Sequence, residues 1–120
     1  MTETIKIGGK DMPVTANAAT VIWIKTIFGI DFINVLQKST TMTNEEAGGY
    51  AEAVLQLAYV MNKQATVGNG EMKQVSRDGF IDWLTDIGSS VYFDNSTAEI
   101  LRVFQEQSKT TSSPKKASGR

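Results

Sequence analysis

Apolar side chains recur along this chain in blocks, and their spacing changes from two to three and four, which marks out the elements. Residues 3–15, ETIKIGGKDMPVT, alternate around Ile5 and Ile7, pause at Gly8-Gly9 and resume to Val14. Glycine takes positive φ without a steric penalty, so a Gly-Gly pair between two extended runs predicts a β-hairpin. Pro13 has no amide proton for a ladder and places the second strand at a sheet edge. A lone hairpin is marginal in water, so Ile5, Ile7, Met12 or Val14 is expected to pack against a helix.

The densest apolar stretch is Asn17 to Lys38, NAATVIWIKTIFGIDFINVLQK. Thr15 and Asn17 are both N-cap candidates, since a short side-chain oxygen accepts from the first unpaired amides. The spacing predicts a helix to about Phe28, ended by Gly29, and a shorter one opened by Asp31 and carrying Phe32, Ile33, Val35 and Leu36. From Val21 to Phe28 a polar face is nearly missing. A helix of a small soluble domain shows an apolar stripe about 100° wide. The excess predicts either a hub enclosed on most sides or a helix that keeps one face for a partner.

Further on, residues 39–42 read as a polar linker, and Thr43 with Glu46 three residues later forms a capping-box pattern. The longest helix should follow, with Tyr50, Ala51, Val54, Leu57, Ala58 and Met61 at spacings of three and four. Gly48 and Gly49 each cost about 1 kcal/mol relative to alanine, which implies close packing of another backbone or a frayed start. Ala65 to Val75 contains Gly68-Asn69-Gly70 and reads as a mobile loop. Ser76 caps a helix with Phe80, Ile81, Trp83, Leu84 and Ile87 as its apolar set, and Gly88 ends it. Val91, Tyr92 and Phe93 form a short bridge, and Asn95 or Ser96 caps a last helix carrying Ile100, Leu101, Val103 and Phe104. Past Gln107 no large apolar residue remains to offset ordering entropy, so disorder is expected there. The pattern therefore predicts a mainly α (α+β) fold: four or five packed helices with a small N-terminal β-hairpin, one domain over residues 1–107, and a disordered basic tail over 108–120.

Composition removes several classes of function. A chain of 120 residues suits one domain. Twelve Lys and Arg against 13 Asp and Glu give a formal net charge of -1, so no basic field draws the protein onto phosphate backbones, and nucleic acid is not the expected partner. With no cysteine and no histidine there is no disulfide framework, no thiol nucleophile, no Ser-His-Asp relay and no zinc site of the usual ligands. The N-terminus lacks the basic and apolar regions of a signal peptide, and no apolar run approaches the ~20 residues of a membrane span. A soluble cytoplasmic protein without membrane, metal or cofactor is expected.

Three patterns invite chemistry. Asp78, Asp82 and Asp86 fall four apart on one helical face, but no second segment supplies further oxygen ligands, and a solvated acidic face is the simpler reading. The pairs at Gly8-Gly9 and Gly68-Asn69-Gly70 lack the spaced glycines and Lys-Ser/Thr of a phosphate loop. Ser113-Pro114-Lys115-Lys116 has the look of a minor-groove element, in a single copy on a nearly neutral chain. No nucleophile-base pair is visible, so an enzyme is not expected.

The order of features carries a resemblance. IKIGGKDMPVT, the TANAAT helix start, the IFGIDFINVLQK corner, an acidic amphipathic helix, FIDWL, and AEILRVFQEQSKTTSSPKK together resemble the tail assembly chaperones of long-tailed (siphovirus-type) bacteriophages of Gram-positive hosts. The likeness runs over nearly the whole chain and is most specific at Gly9-Lys10, at Phe28-Gly29-x-Asp31 and at Glu99-Ile100 running into the Lys-rich tail. Where relatives often carry basic residues in the first helix, this chain has Val21, Ile22 and Trp23. The resemblance implies a non-enzymatic factor that binds and solubilises the tape measure protein in the host cytoplasm, helps recruit tail tube protein, and is absent from the mature virion. It also implies a frameshift-extended longer form, for which Lys115-Lys116 would mark an A-rich slippery run. Trp23, Ile27, Phe28 and Phe32 are then expected to contribute to the partner surface or to self-association. The alternatives are a structural or head-tail connector protein retained in the virion and, third, a small DNA-binding regulator.

Overall fold

A computed structural model describes residues 2–38, 44–92 and 94–112, with the side chains of 44–48, 69 and 108–112 outside that description. The fold is mainly helical with a small N-terminal hairpin. Strands β1 (Glu3–Ile7) and β2 (Lys10–Val14) are followed by helices α1 (Ala18–Phe28), α2 (Phe32–Lys38), α3 (Asn44–Val67), α4 (Arg77–Ile87) and α5 (Ser96–Ser112), with short 3-10 turns at Asn69–Gln74 and Ser89–Tyr92.

β1 and β2 pair antiparallel from Glu3↔Val14 to Ile7↔Lys10. The connecting Gly8 and Gly9 have φ of 62° and 83°, the positive values a two-residue type I′ turn needs. Hydrogen-bonded pairs alternate from that turn, which places Thr4↔Pro13 among the non-bonded pairs, and the missing amide proton of Pro13 costs the ladder nothing. Ile5, Ile7 and Val14 are buried, as the alternation predicts. Three contacts fasten the hairpin to the last helices. The Gly8 amide donates to Ser96 Oγ at 2.9 Å, Lys10 Nζ donates to the Asp86 carbonyl, and Arg102 pairs with Glu3 at 2.5 Å. Arg102 also meets Glu99 and Glu106. Its hydrogen bonds to Glu99 and then Glu3 hold the guanidinium pKa above its ordinary value.

The two turn glycines separate backbone freedom from space. A Cβ on Gly9 meets nothing within 4 Å, whereas one on Gly8 runs into the Ile87 side chain. Gly9→Ala should therefore cost only the positive-φ penalty, about 1–2 kcal/mol. Gly8→Ala should cost about 1 kcal/mol more, because Ile87 must move as well. Paired urea unfolding curves check the difference.

Asn17 caps α1. Its side chain accepts from the Ala19 amide at 2.9 Å, and its own amide donates to Thr20 Oγ1 at 2.9 Å. Thr20 Oγ1 in turn donates to Gln64 Oε1 at 2.7 Å, and Gln64 Nε2 returns to Asn17 Oδ1 at 3.3 Å. This closed ring lets two buried polar residues, Thr20 and Gln64, lie between α1 and α3 without an unpaired atom. Gly29, at φ 74°, ends α1 in the left-handed conformation, and Asp31 Oδ1 accepts the Asn34 amide at the start of α2. The axes of the two helices differ by 98°.

The hub is α3 rather than the Asn17–Lys38 stretch. Ala53, Val54, Leu55, Leu57, Ala58, Tyr59, Val60, Met61, Asn62 and Gln64 are all buried, so this part of α3 is enclosed nearly all round. It touches β2, α1, α2, α4, α5 and the Asn69–Gln74 turn. In α1 only Thr20 and Ile24 are buried. Length explains the exchange, because a 24-residue helix reaches neighbours at both ends and on every side while an 11-residue helix has one flank to pack.

Three local expectations change. The stretch after α3 is a 3-10 turn rather than a mobile loop, anchored by the fully buried Met72. No backbone packs against Gly49, where a Cβ would enter open space. α5 continues to Ser112, five residues past the expected domain boundary at Gln107. The 39–42 linker, the Thr43–Glu46 box, Phe93 and residues 113–120 lie outside the described residues.

Candidate partner-binding surface

α1 presents its apolar residues in four directions. Ile24 points inward with Thr20, four residues earlier and one turn away. Trp23 and Ile27 occupy one shoulder and Val21 and Phe28 the other, all partly buried against the core. Ile22 stands on the outer face with Lys25 and Thr26 and is 65% exposed. Thr26 Oγ1 donates to the Ile22 carbonyl at 2.9 Å, which satisfies the hydroxyl within the helix.

The shoulder of Trp23 and Ile27 forms one wall of an open groove of about 390 Å³. Its other wall comes from Met72, Lys73 and Val75 and from Ser76-Arg77 at the start of α4. The geometry follows from the folding of the Asn69–Gln74 turn, because Met72 buries itself and carries Lys73 and Val75 up beside α1.

The four residues expected to form a partner surface are divided by the structure. Trp23 and Ile27 stand together in the groove. Phe28 belongs to an aromatic cluster, with its ring edge-on to Phe80 at 5.4 Å and to Tyr59 at 6.0 Å. Tyr59 also meets Trp83, and its hydroxyl donates to the Ser76 carbonyl at 2.9 Å; burial raises the phenol pKa above its ordinary value. Phe32 is 0% exposed, edge-on to Phe104 at 5.5 Å, and offers no surface in this arrangement. α2 begins where α1 turns away at Gly29, and its first residue swings into the core.

The partner surface expected from the sequence omits Ile22, although its helical neighbours Lys25 and Thr26 are the exposed polar residues of α1 and mark the outer face. A second apolar strip was also missed. Ile81 is 62% and Tyr92 48% exposed, and with Leu84 and Gly88 they border a cleft of about 260 Å³. The sequence names Ile81 in one apolar set with Phe80, Trp83, Leu84 and Ile87, and in the structure Phe80, Trp83 and Ile87 are buried while Ile81 is not. Successive helical residues lie about 100° apart, so a neighbour of a core residue need not share its face.

The other candidate chemistry stays separate. Asp78, Asp82 and Asp86 are exposed, and among the described residues no three acidic side chains come together as a metal site. Gly68 precedes the Asn69–Gln74 turn and Gly70 lies within it, both with space around them. Among the described residues no single helix is long and apolar enough to cross a membrane; α1 and α2 reach that composition only as a bent pair. Comparison with protein-family models, with curated proteins and with solved structures gave no match to this chain.

Proposed function

We propose that the protein is a bacteriophage tail assembly chaperone: a non-enzymatic module that binds the tape measure protein through apolar helix contacts, keeps it soluble, and helps bring tail tube subunits to it. The observation that carries this reading is the outer side of α1, where Ile22 is 65% exposed beside the partly exposed Trp23 and Ile27. A helix that leaves its large apolar residues on the surface of an otherwise well-packed fold is suited to covering the apolar stripe of another helix. The family resemblance read from the sequence names which partner that would be. Affinity per copy is modest in this scheme, because the partner is long and repetitive, many copies bind it, and all must be released.

Co-expression with a long, coiled-coil-rich tape measure product tests the proposal. The soluble fraction of that product should rise several-fold, and it should co-purify with this chain. Ile22→Asp should remove most of the gain while changing stability by no more than about 0.5 kcal/mol, since the side chain is exposed. Trp23→Asp should also weaken solubilisation, with a larger stability cost because the indole is partly buried. A soluble fraction indifferent to co-expression would refute the chaperone reading. Mass spectrometry of purified particles separates it from a connector, because a chaperone is missing from the virion and a connector is present.

A further inference from the structure

We infer that the groove between α1 and the Asn69–Gln74 turn takes an amphipathic helix whose apolar stripe is bordered by carboxylates. The inference deepens the reading of α1 as a partner surface and rests on it. Trp23, Thr26 and Ile27 stand at i, i+3 and i+4 along one wall, the repeat at which a docked helix presents its own apolar residues. Across from them Val75 extends the apolar floor, while Lys73 and Arg77 rise from the opposite wall, both exposed.

Among the described residues no carboxylate lines the groove. Glu71, the nearest acid in sequence to Lys73, borders a different cleft beside Tyr59 and Lys63. Among the described residues neither Lys73 nor Arg77 has an ion-pair partner, in contrast to Lys6 with Asp11 and Arg102 with its three glutamates. An apolar floor with two unpaired cations on one rim is complementary to a helix that carries Glu or Asp beside its leucines. A helix bordered by Lys would set like charges against that rim.

Two synthetic helical peptides test this, with the same leucine row at i, i+3, i+4 and i+7 and flanking positions filled by Glu in one and by Lys in the other. Each is labelled and titrated with the full chain by fluorescence anisotropy. The Glu-flanked peptide should bind about tenfold more tightly at low salt, as two surface ion pairs allow. The preference should shrink as salt rises. The double variant K73E/R77E replaces exposed side chains, so it should melt like the parent while inverting the preference. Equal binding of both peptides, or a preference unchanged in K73E/R77E, would overturn the inference. So would self-association that the double variant abolishes, because the groove would then be taken by a second copy. The readouts fail independently: tape measure solubilisation without any peptide preference removes the groove inference alone, and peptide preference without solubilisation removes the chaperone reading alone.

Discussion

Phe32→Ala is expected to lower the free energy of unfolding by about 4 kcal/mol, against about 1–2 kcal/mol for Trp23→Ala. Phe32 is fully enclosed and packs its ring edge-on to Phe104, so truncation opens a cavity and removes an aromatic pair at once. It is also the one buried residue of α2, whose Ile33, Asn34, Gln37 and Lys38 are exposed and whose Val35 and Leu36 are only partly covered. A seven-residue helix has little stability of its own, so losing Phe32 should release α2 together with the Gly29 corner. Trp23 is partly exposed and loses less buried area. Urea unfolding followed by circular dichroism gives both values. The partner assay then sorts roles: Phe32→Ala should impair solubilisation only as far as it unfolds the chain, while substitutions at Ile22 and Trp23 should impair it in a folded protein. A Phe32→Ala protein of normal stability that no longer binds its partner would place Phe32 in the interface and refute this assignment.

The contrast between Phe32 and Ile22 shows what the sequence made legible. Elements were readable because their signals are local: Gly8-Gly9 sets a hairpin turn, Asn17 caps α1, Gly29 stops it, Asp31 opens α2 and Gly88 ends α4. Which apolar residues face inward depends on the direction in which each helix leaves its corner, and a 98° change of axis at Gly29–Asp31 is not written in the spacing of Phe28 and Phe32. Density of apolar residues misled for a related reason. Residues 53–64 of α3 hold only a few polar side chains, and two of these, Asn62 and Gln64, bury themselves by bonding to partners far away in sequence, Pro13, Trp83 and the Thr20–Asn17 ring. A polar residue with a distant partner looks like a solvent-facing one until the chain is folded, so the spacing along α3 does not show how central that helix is. The groove was out of reach for the same reason. The spacing singles out Trp23 and Ile27 on α1, but Lys73 and Val75 belong to the 65–75 stretch that reads as a mobile loop and Arg77 to the helix after it, and only the burial of Met72 brings them alongside.

Asn62 is where that hidden polar wiring should matter most. Its amide Nδ2 donates to the Pro13 carbonyl at 2.8 Å and its Oδ1 accepts from the Trp83 indole at 3.0 Å, so one side chain on α3 ties β2 to α4. The Pro13 carbonyl is free for this bond because Thr4↔Pro13 is a non-bonded pair of the ladder. Asn62→Leu keeps most of the volume but strands a buried donor and a buried acceptor, at about 1–3 kcal/mol each, so a total loss of about 3 kcal/mol is expected. Asn62→Asp isolates half of the arrangement. The introduced carboxylate still accepts from Trp83 but turns an oxygen toward the Pro13 carbonyl, and burial beside that carbonyl raises its folded pKa above the unfolded value of about 3.9. A raised acid pKa means that the folded state binds the proton more tightly, so the deficit is full above the folded pKa and shrinks as pH falls toward the unfolded value. Once protonated, the carboxyl can donate to Pro13 as the amide does. The stability gap between parent and Asn62→Asp should therefore narrow between neutral pH and about pH 4, while the gap for Asn62→Leu stays constant. Denaturation of all three proteins across that range measures it. A constant gap for Asn62→Asp, or a loss under about 1 kcal/mol for Asn62→Leu, would mean that water reaches the site and that the hairpin is held to α4 by apolar packing and the Lys10–Asp86 hydrogen bond without help from Asn62.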